Sequence, residues 1–426
     1  MGANKAQTKS FYRFLNNQAV GLNEVIKNHI ADYQLDQHKG HLLCINDTSE
    51  MNFTSHQGRL KNDTLGLVGN NKDTGFFLHP TLVMDAETDQ FLGFSSLQIW
   101  TRSPHKLDKN ARKYPTLPIT EKESFKWIKA MTDSSEQLAN ARMITVIADR
   151  ESDLYEEFQR IPTPKTQLLI RSGQNRKLYG SDKMLYQTLE GQPIAGSYEL
   201  IIPADVSRKQ AKRIAVMCVK FCAVALKKPA LLKEGKDFVS LYAVQAQELH
   251  PPAGVVPICW RLLTTHEVHD LDQARQMVNF YKLRWWIEQL FRVLKSQGLN
   301  VEGSELEDGE SLKKLCVYAL PTALKVMQLV ASRSDVNTPI QTVFSADEQV
   351  CLAAVLPTVN GCSDKSKNPH SPEHLAWATW IIARLGGWDG QPSQRPAGMI
   401  TMYRGVLRFN SLFEGWMLLY KDLGTR

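Results

Sequence analysis

The chain has 426 residues, of which 43% are hydrophobic and 22% are charged, a globular composition with enough length for two or three domains. Its 51 Lys and Arg against 44 Asp and Glu give a formal net charge of +7, which is compatible with nucleic-acid binding but is weak evidence for it. The first residues are polar and no stretch approaches the roughly 18 uncharged apolar residues of a membrane helix, so the sequence predicts a soluble intracellular protein.

The cysteines form no recognisable disulfide or metal-binding pattern. Their number is odd, no pair has C-x-x-C spacing, and Cys218 and Cys222 lie in an apolar run without a nearby pair of histidines. We therefore interpret them as reduced thiols of a cytosolic protein and not as zinc ligands. The seven positions are Cys44, Cys218, Cys222, Cys259, Cys316, Cys351 and Cys362.

The first 160 residues alternate between helical and strand patterns. In chain order, they predict a helix over 10–35, a strand over 42–45, a hairpin of strands over 77–84 and 90–99, a helix over 122–138, a strand over 143–147 and a helix over 152–160. Two of the strands run directly into an acidic residue, Asp47 and Asp149. Open α/β sheets place their sites at such strand ends, although a lone Asp there is more commonly a cap or turn residue.

A change of pattern at about residue 166 predicts a β-rich insertion. Strands are predicted over 168–170, 198–202, 214–226 and 238–245, and another strand over 259–264 follows the insertion. Cations in this segment could clamp DNA or could form an ordinary solvated surface. They are Arg171, Arg176, Lys177, Arg208, Lys209, Lys212 and Arg213.

The rest of the chain is predicted to be mainly helical. A long helix is expected over 271–296, and the C-terminal third is helical with breaks over 359–373 and 386–398. The order of elements predicts an α/β fold whose core is interrupted by the β-rich insertion and followed by a helical C-terminal domain. Two apolar helical stretches, 375–385 and 413–420, either pack within that domain or pair two subunits.

One face of the predicted long helix carries a carboxylate among cations. At about 100° per residue, Tyr281, Arg284, Glu288 and Lys295 fall within a sector of roughly 60°. A solvated amphipathic helix is the alternative, but three crowding aromatic residues and cations on the carboxylate's own face favour a phosphate-binding surface. The aromatic residues are Tyr281, Trp285 and Trp286, and the neighbouring apolar face comprises Ile287, Leu290, Phe291 and Leu294.

The spacing Y-x2-R-x3-E-x6-K of these four residues resembles the signature of the type-four family of bacterial insertion-sequence transposases. Other blocks that resemble the family extend the likeness from about residue 10 to the end of the chain. Three acids, each in its own block and in the right order, make the resemblance specific. The blocks are Asp47-Thr48, Asp149-Arg150-Glu151-Ser152-Asp153, Trp260-Arg261-Leu262-Leu263-Thr264-Thr265, Arg395-Pro396-Ala397-Gly398 and Tyr403-Arg404-Gly405.

The resemblance implies a ribonuclease H-like core that catalyses strand nicking, hairpin formation and strand transfer in cut-and-paste transposition. Asp47, Asp149 and Glu288 would be the catalytic residues and would hold two Mg²⁺ or Mn²⁺ ions, with Asp47 as the bridging ligand. Two metals about 4 Å apart activate the attacking oxygen and neutralise the leaving oxygen in phosphoryl transfer. Hard cations of this kind prefer carboxylate oxygens, so the residue types agree with the chemistry.

The signature helix offers groups that suit a DNA backbone. Arg284 can fork onto a phosphate, Lys295 can act as a point charge, and Tyr281 can donate its hydroxyl to a phosphate oxygen. These three residues are therefore candidate DNA-binding residues.

Two further residues are candidates for DNA binding. Arg150 either contacts a phosphate or pairs with Glu151 or Asp153. Because the family forms a hairpin at the transposon end, Trp260 is a candidate platform for an extruded base, with a buried core tryptophan as the alternative.

The expected partners are double-stranded DNA, at transposon ends and target, and a second copy of the chain in the DNA complex, with no membrane. The expected location is the bacterial cytoplasm, in association with the nucleoid. The expected domains are a helical remnant or linker over 1–37, the catalytic core over 38–165 and 255–331, the β-rich insertion over 166–254, and a helical C-terminal domain over 332–426 that serves dimerisation.

The segment before Asp47 is short for this family, whose members begin with a helical domain that reads the terminal DNA of the element. Residues 10–17 resemble the region that joins that domain to the core, so most of the recognition domain is expected to be missing. The chain is then a transposase with a shortened N-terminal region, a truncated inhibitor that dimerises with full-length transposase, or a degenerate genomic remnant of a transposase.

Overall fold

The structure is a computed structural model that describes residues 5–56, 58–61, 65–69, 71–103, 116–202, 211–363, 366–391 and 395–423. Arg208 and Lys209 lie outside these residues. The strands are β1 (His41–Asn46), β2 (Ser49–Asn52), β3 (Gly66–Val68), β4 (Asp73–Asp85), β5 (Phe91–Trp100), β6 (Met143–Ala148), β7 (Thr166–Arg171), β8 (Gly196–Ile202), β9 (Arg213–Lys227), β10 (Phe238–Leu249) and β11 (Cys259–Thr264). The helices are α1 (Lys5–Leu15), α2 (Leu22–Ala31), α3 (Phe125–Ser134), α4 (Tyr155–Arg160), α5 (Leu185–Glu190), α6 (Leu271–Leu283), α7 (Trp285–Lys295), α8 (Gly309–Ala331), α9 (Ala346–Val359), α10 (Leu375–Leu385) and α11 (Met399–Leu423).

The described strands form one mixed sheet, and a helical region follows it along the chain. The strand order is β2-β4-β1-β6-β7-β11-β10-β9-β8, and β3 and β5 also pair with β4. β1 pairs in parallel with β6, and β6 with β7, whereas the other pairs are antiparallel. The predicted α/β class and helical C-terminal region are therefore confirmed. β7 lies between β6 and β11, so the segment 166–254 continues the central sheet.

Helices cover both faces of the central strands, because those strands are apolar on both sides. Leu43 and Ile45 of β1 face one core with α2 and α6 to α11, and Leu42 and Cys44 face a second core with residues of α3, α4 and α5. Successive strand residues point to opposite faces, so a continuous apolar run such as 42–45 predicts a strand buried on both sides.

Two predicted helices are each divided into two. The helix expected over 10–35 is interrupted between α1 and α2, where Lys314 Nζ of α8 donates to the carbonyls of Leu15 and Asn17 at 3.1 and 2.9 Å. The helix expected over 271–296 is interrupted at one residue, Arg284, between α6 and α7. There the N–H of Arg284 donates to the Tyr281 carbonyl, three residues back, so the turn is tighter than an α-helix.

The two apolar C-terminal stretches differ in their packing. Leu375 to Ala383 of α10 are all buried within the chain, so intrachain packing is confirmed for this helix. The second stretch lies in α11, where Leu412, Leu418 and Leu419 are exposed. α10 and α11 approach closely at Gly405, where a Cβ would lie 1.9 Å from the Ile382 carbonyl oxygen.

One helical segment, Gly309–Ser334, is long and apolar enough to cross a membrane by length and composition alone. Most of its apolar window, 61%, is buried inside the chain. Lys313 and Lys314, near the start of α8, are also buried: Lys313 pairs with Glu310 of the same helix, and Lys314 donates to the carbonyls of Leu15 and Asn17. Such burial is typical of a core helix in a soluble protein.

Candidate active site

Asp47 and Asp149 lie side by side at the carboxyl edge of the sheet. Ile45 of β1 and Ile147 of β6 are paired in the parallel register, and each aspartate stands two residues after its isoleucine, directly after the strand ends. Asp47 Oδ1 accepts the N–H of Thr48 at 2.8 Å, and Asp149 Oδ1 accepts the N–H of Glu151 at 2.9 Å. The backbone thus orients both carboxylates, as is usual for Asp after a strand.

Arg284 connects Glu288 to Asp47 by hydrogen bonds to both carboxylates. Its Nη1 donates to Asp47 Oδ2 at 3.0 Å, and its Nη2 donates to Glu288 Oε1 one helical turn later. The side chain of Arg284 is 16% exposed, that of Asp47 is 20% exposed and that of Glu288 is 33% exposed. This bridge is therefore largely shielded from water. The signature helix therefore meets Asp47 through Arg284, and this cation lies between the carboxylates of Asp47 and Glu288.

The Asp47 carboxyl lies in an electrostatically unfavourable place for a negative charge. Burial raises the pKa of Asp47 to about 6, and the nearby charge of Asp149 adds to the rise. The Thr48 N–H and the Arg284 guanidinium oppose it, while Glu288 contributes a smaller rise. A cluster of carboxylates in such a setting is stabilised by a cation.

The residue types fit a divalent cation, but their present arrangement does not yet form a metal cage. Three carboxylates are the donors that hard cations such as Mg²⁺ prefer. Within the described parts of the chain, however, no group of three or more His, Cys, Asp or Glu side chains is arranged to hold a metal ion. Arg284 engages one oxygen each of Asp47 and Glu288, so Arg284 would have to withdraw for a metal to bind both.

Tyr281 and Trp260 lie together beside this cluster. Burial raises the pKa of Tyr281, and the nearby cations Arg284 and Arg171 oppose that rise; among the described residues, its hydroxyl has no hydrogen-bond partner of good geometry. Trp260 of β11 is half-buried and packs edge-to-face on Tyr281, with 5.8 Å between ring centroids. A base-stacking role and a core role for Trp260 both agree with this position, so its DNA contact stays a prediction.

The other two predicted DNA contacts lie at the rim of the site. Lys295 is paired with Glu302, with 3.5 Å between Nζ and Oε1. Arg150 is exposed, and among the residues described no ion pair involves it. Its expected alternative partners are taken, because Glu151 pairs with Lys126 at 3.3 Å and Asp153 pairs with Arg176. The alternative of a pairing between Arg150 and these acids is therefore wrong.

Arg176 is not the surface cation that the sequence suggested. It is buried, its Nε donates to Asp153 Oδ1 at 2.8 Å, and its Nη2 donates to the Asp153 carbonyl. Asp153 Oδ2 also accepts the N–H of Gly173 at 2.8 Å. Arg176 thus ties the turn that carries Asp149 to the loop after β7, and it is not available to clamp DNA.

Two residues beside the acids were not singled out by the sequence. His79 of β4 is fully buried and bonded to Thr48. Lys126 of α3 lies over the rings of Trp100 and Trp127, 5.6 and 5.2 Å from their centroids. An unexpected histidine in an otherwise apolar strand was the available signal for the first, whereas nothing in the α3 pattern distinguished Lys126 from a surface lysine.

No known protein-family model matches the chain. The Arg395–Gly398 block is held by the fold, since Arg333 donates to the Ala397 carbonyl at 2.7 Å and Trp388 Nε1 donates to the Arg395 carbonyl at 3.1 Å. These contacts explain that block as structural.

Proposed function

We propose that this chain is a DNA transposase of the type-four insertion-sequence family, and that Asp47, Asp149 and Glu288 carry metal-dependent phosphoryl transfer. One observation carries the proposal. Two aspartates end adjacent parallel strands in register, and the signature glutamate, far along the chain, is joined to the first of them through a single guanidinium. If the resemblance of these sequence blocks were due to chance, their acids would not be expected to lie close together in the fold.

The strand arrangement supports a ribonuclease H-like core for this enzyme. Strands β5, β4 and β1 form an antiparallel series, and β6 and β7 then continue it in parallel. The first aspartate follows the central strand β1 and the second follows its parallel neighbour β6. This places both carboxylates at one edge, where α7 can deliver the third.

The chain's own residues would bind and orient the reacting groups. When bound at the three carboxylates, Mg²⁺ or Mn²⁺ would activate the attacking oxygen and neutralise charge on the leaving oxygen. The Thr48 and Glu151 N–H groups hold Oδ1 of each aspartate, and Asp47 Oδ2 would become available to a ligand only when Arg284 leaves it.

A double-stranded DNA substrate is supported by the cations around these acids. Arg284 and Arg171 lie against the Tyr281 side, while Lys126 and Arg150 lie on the Asp149 side. Phosphate contacts of this kind position a duplex without reading its sequence. We further propose a nucleoid-associated cytoplasmic protein that acts as a dimer on DNA, with the exposed leucines of α11 in the subunit contact.

Cleavage of DNA by carboxylate variants tests the proposal. The substrate is a supercoiled plasmid that carries the gene with its flanking DNA, incubated with Mg²⁺ or Mn²⁺. Wild type should nick it, and Asp47→Asn, Asp149→Asn and Glu288→Gln should each abolish nicking because each removes a metal ligand. Glu136→Gln, at an exposed acid away from the site, is the matched control and should nick normally. Nicking by any of the three site variants at the wild-type rate would reject that residue's role.

A further inference from the structure

The Arg284 guanidinium occupies the place where the carboxylates need a cation. It bonds to Asp47 Oδ2 at 3.0 Å and to Glu288 Oε1. Asp47 Oδ1 is already engaged by the Thr48 N–H. A metal held by these acids would therefore compete with Arg284 for Asp47 Oδ2 and for the negative charge of Glu288.

We propose that Arg284 is an exchangeable internal cation: it holds the acids together before metal binds, and metal binding releases it to a DNA phosphate. Metal and DNA then strengthen each other's binding through this one side chain. The inference rests on the proposed function, since it takes Asp47 and Glu288 as metal ligands, and it adds the coupling between the two ligands of the site.

Electrostatics explains why the acids hold a cation both before and after metal binding. Without a cation, Asp47, Asp149 and Glu288 repel one another in a partly buried site, so Arg284 stabilises the cluster. A divalent ion supplies more charge at the same oxygens, and it repels the guanidinium that remains beside it. In a partly buried site, repulsion between the divalent ion and the Arg284 guanidinium prevents both from staying at the carboxylates.

The released guanidinium has a suitable destination. The planar fork of Arg matches a phosphate as well as it matches a carboxylate. Its carbon Cζ already lies 5.9 Å from the centre of the Tyr281 ring, and the Tyr281 hydroxyl has no hydrogen-bond partner of good geometry in the part of the chain that the structure describes. A phosphate beside Tyr281 and Arg171 would receive Arg284 and satisfy that hydroxyl.

The local backbone also permits the movement. Arg284 stands at the one-residue junction between α6 and α7, and not inside a regular helix. The side chain can therefore turn from the acids to the Tyr281 side by rotation about its own bonds, while Ile287 and Leu290 keep α7 in the core.

The consequence is a reciprocal coupling. If metal frees Arg284 for phosphate, then metal tightens DNA binding, and by thermodynamic necessity DNA tightens metal binding by the same factor. A variant without the guanidinium should bind metal more tightly, since no internal cation competes, and should lose the coupling.

Calorimetric titration of Mn²⁺ into the full chain without DNA tests the competition. Arg284→Met should bind Mn²⁺ roughly tenfold more tightly than wild type, within the usual range of coupling factors. Arg284→Lys keeps the charge but cannot bridge two carboxylates as a fork, so its affinity should fall between the two. Arg292→Met removes the same charge from the exposed side of α7, over Trp285, and should leave Mn²⁺ affinity near the wild-type value.

Fluorescence anisotropy with a short labelled duplex tests the coupling itself. Mn²⁺ should raise the DNA affinity of wild type and of Arg292→Met, and Arg284→Met should lose most of that rise. Equal Mn²⁺ affinity in wild type and Arg284→Met, or an undiminished rise in DNA affinity in that variant, overturns the inference. If Mn²⁺ binds Asp47→Asn as tightly as wild type, or binds neither wild type nor Arg284→Met, the metal centre is rejected, and the proposed function fails with it.

Discussion

His79 and Thr48 are joined by a hydrogen bond of 2.9 Å between Nδ1 and Oγ1, next to the first candidate metal ligand. The His79 ring is fully buried and packs edge-to-face on Trp127, with 4.7 Å between ring centroids. The Thr48 N–H in turn donates to Asp47 Oδ1 at 2.8 Å. His79 is therefore a positioning residue for the Asp47 carboxylate, and it acts through Thr48.

Removing this hydrogen bond should impair the metal site more than the fold. Thr48→Val and His79→Phe should each weaken Mn²⁺ binding and slow DNA nicking by about 10–100-fold, as is typical when a partner of a metal ligand is lost. Thr48→Ser keeps the hydroxyl, and His79→Asn keeps a polar atom near Nδ1, so both should retain most of the affinity. Equal losses in Thr48→Val and Thr48→Ser, measured by calorimetry, would show that the hydroxyl has no positioning role.

Glu157 should make stability depend on pH. Burial raises its pKa to about 8, with a further rise from Asp153, while Ser152 Oγ donates to its Oε2 at 2.6 Å and opposes the rise. The raised pKa means that the neutral acid is favoured in the fold. This contribution is fully present below the unfolded pKa of about 4.3 and is lost as pH rises through 8.

Urea unfolding at several pH values measures this contribution. Between about pH 4.3 and 8, the free energy of unfolding of wild type should fall relative to Glu157→Gln, with a slope approaching about 1.4 kcal/mol per pH unit. The Gln variant cannot ionise and serves as the matched reference. Parallel stability curves for the two proteins would mean that Glu157 does not titrate abnormally.

Gly405 should tolerate no side chain, whereas Gly415 in the same helix should. A Cβ at Gly405 would lie 1.9 Å from the backbone oxygen of Ile382, so Gly405→Ala should force α10 and α11 apart and destabilise the fold by about 1–3 kcal/mol. No atom lies within 4 Å of a Cβ at Gly415, so Gly415→Ala should be neutral or stabilising, by up to about 1 kcal/mol. Thermal unfolding of both variants checks the difference, and equal melting temperatures would contradict the close approach of the two helices.

Lys295 and Arg176 should differ in their effect on DNA binding. Lys295 at the rim should exchange Glu302 for a phosphate, so Lys295→Met should weaken binding to all sequences and reduce the logarithmic salt slope by about 0.9. Arg176→Met should leave the slope unchanged, yet lower the free energy of unfolding by about 3–5 kcal/mol, because it leaves Asp153 buried without its partner. A reduced slope in Arg176→Met, or an unchanged one in Lys295→Met, would reverse these assignments.

Local pattern was enough to predict β1 and β6 and the two aspartates that follow them, whereas β2 and β3 were not predicted. The apolar run 42–45 and the β-branched run 143–147 are each typical of a buried strand. Once both strands enter one sheet, their parallel pairing brings Asp47 and Asp149 together. The spacing in the signature helix likewise predicted a shared side for Arg284 and Glu288.

Contacts between distant segments could not be predicted in this way. The bridge from Arg284 to Asp47 depends on where α7 docks across the sheet, and periodicity carries no information about that position. Arg176 has the sequence context of a solvated loop cation, but Asp153 captures it inside the protein. The break at Arg284 was also missed, because neither Gly nor Pro marks it.

The most direct test of the central claim is the position of Mn²⁺ in crystals of the chain grown with Mn²⁺ and a short DNA duplex, located by anomalous scattering. We expect an anomalous peak among the carboxylates of Asp47, Asp149 and Glu288, with the Arg284 guanidinium withdrawn from Asp47 and bonded to a phosphate. Mn²⁺ found only elsewhere, with Arg284 still bridging Asp47 and Glu288, would contradict a metal-dependent active site at these acids.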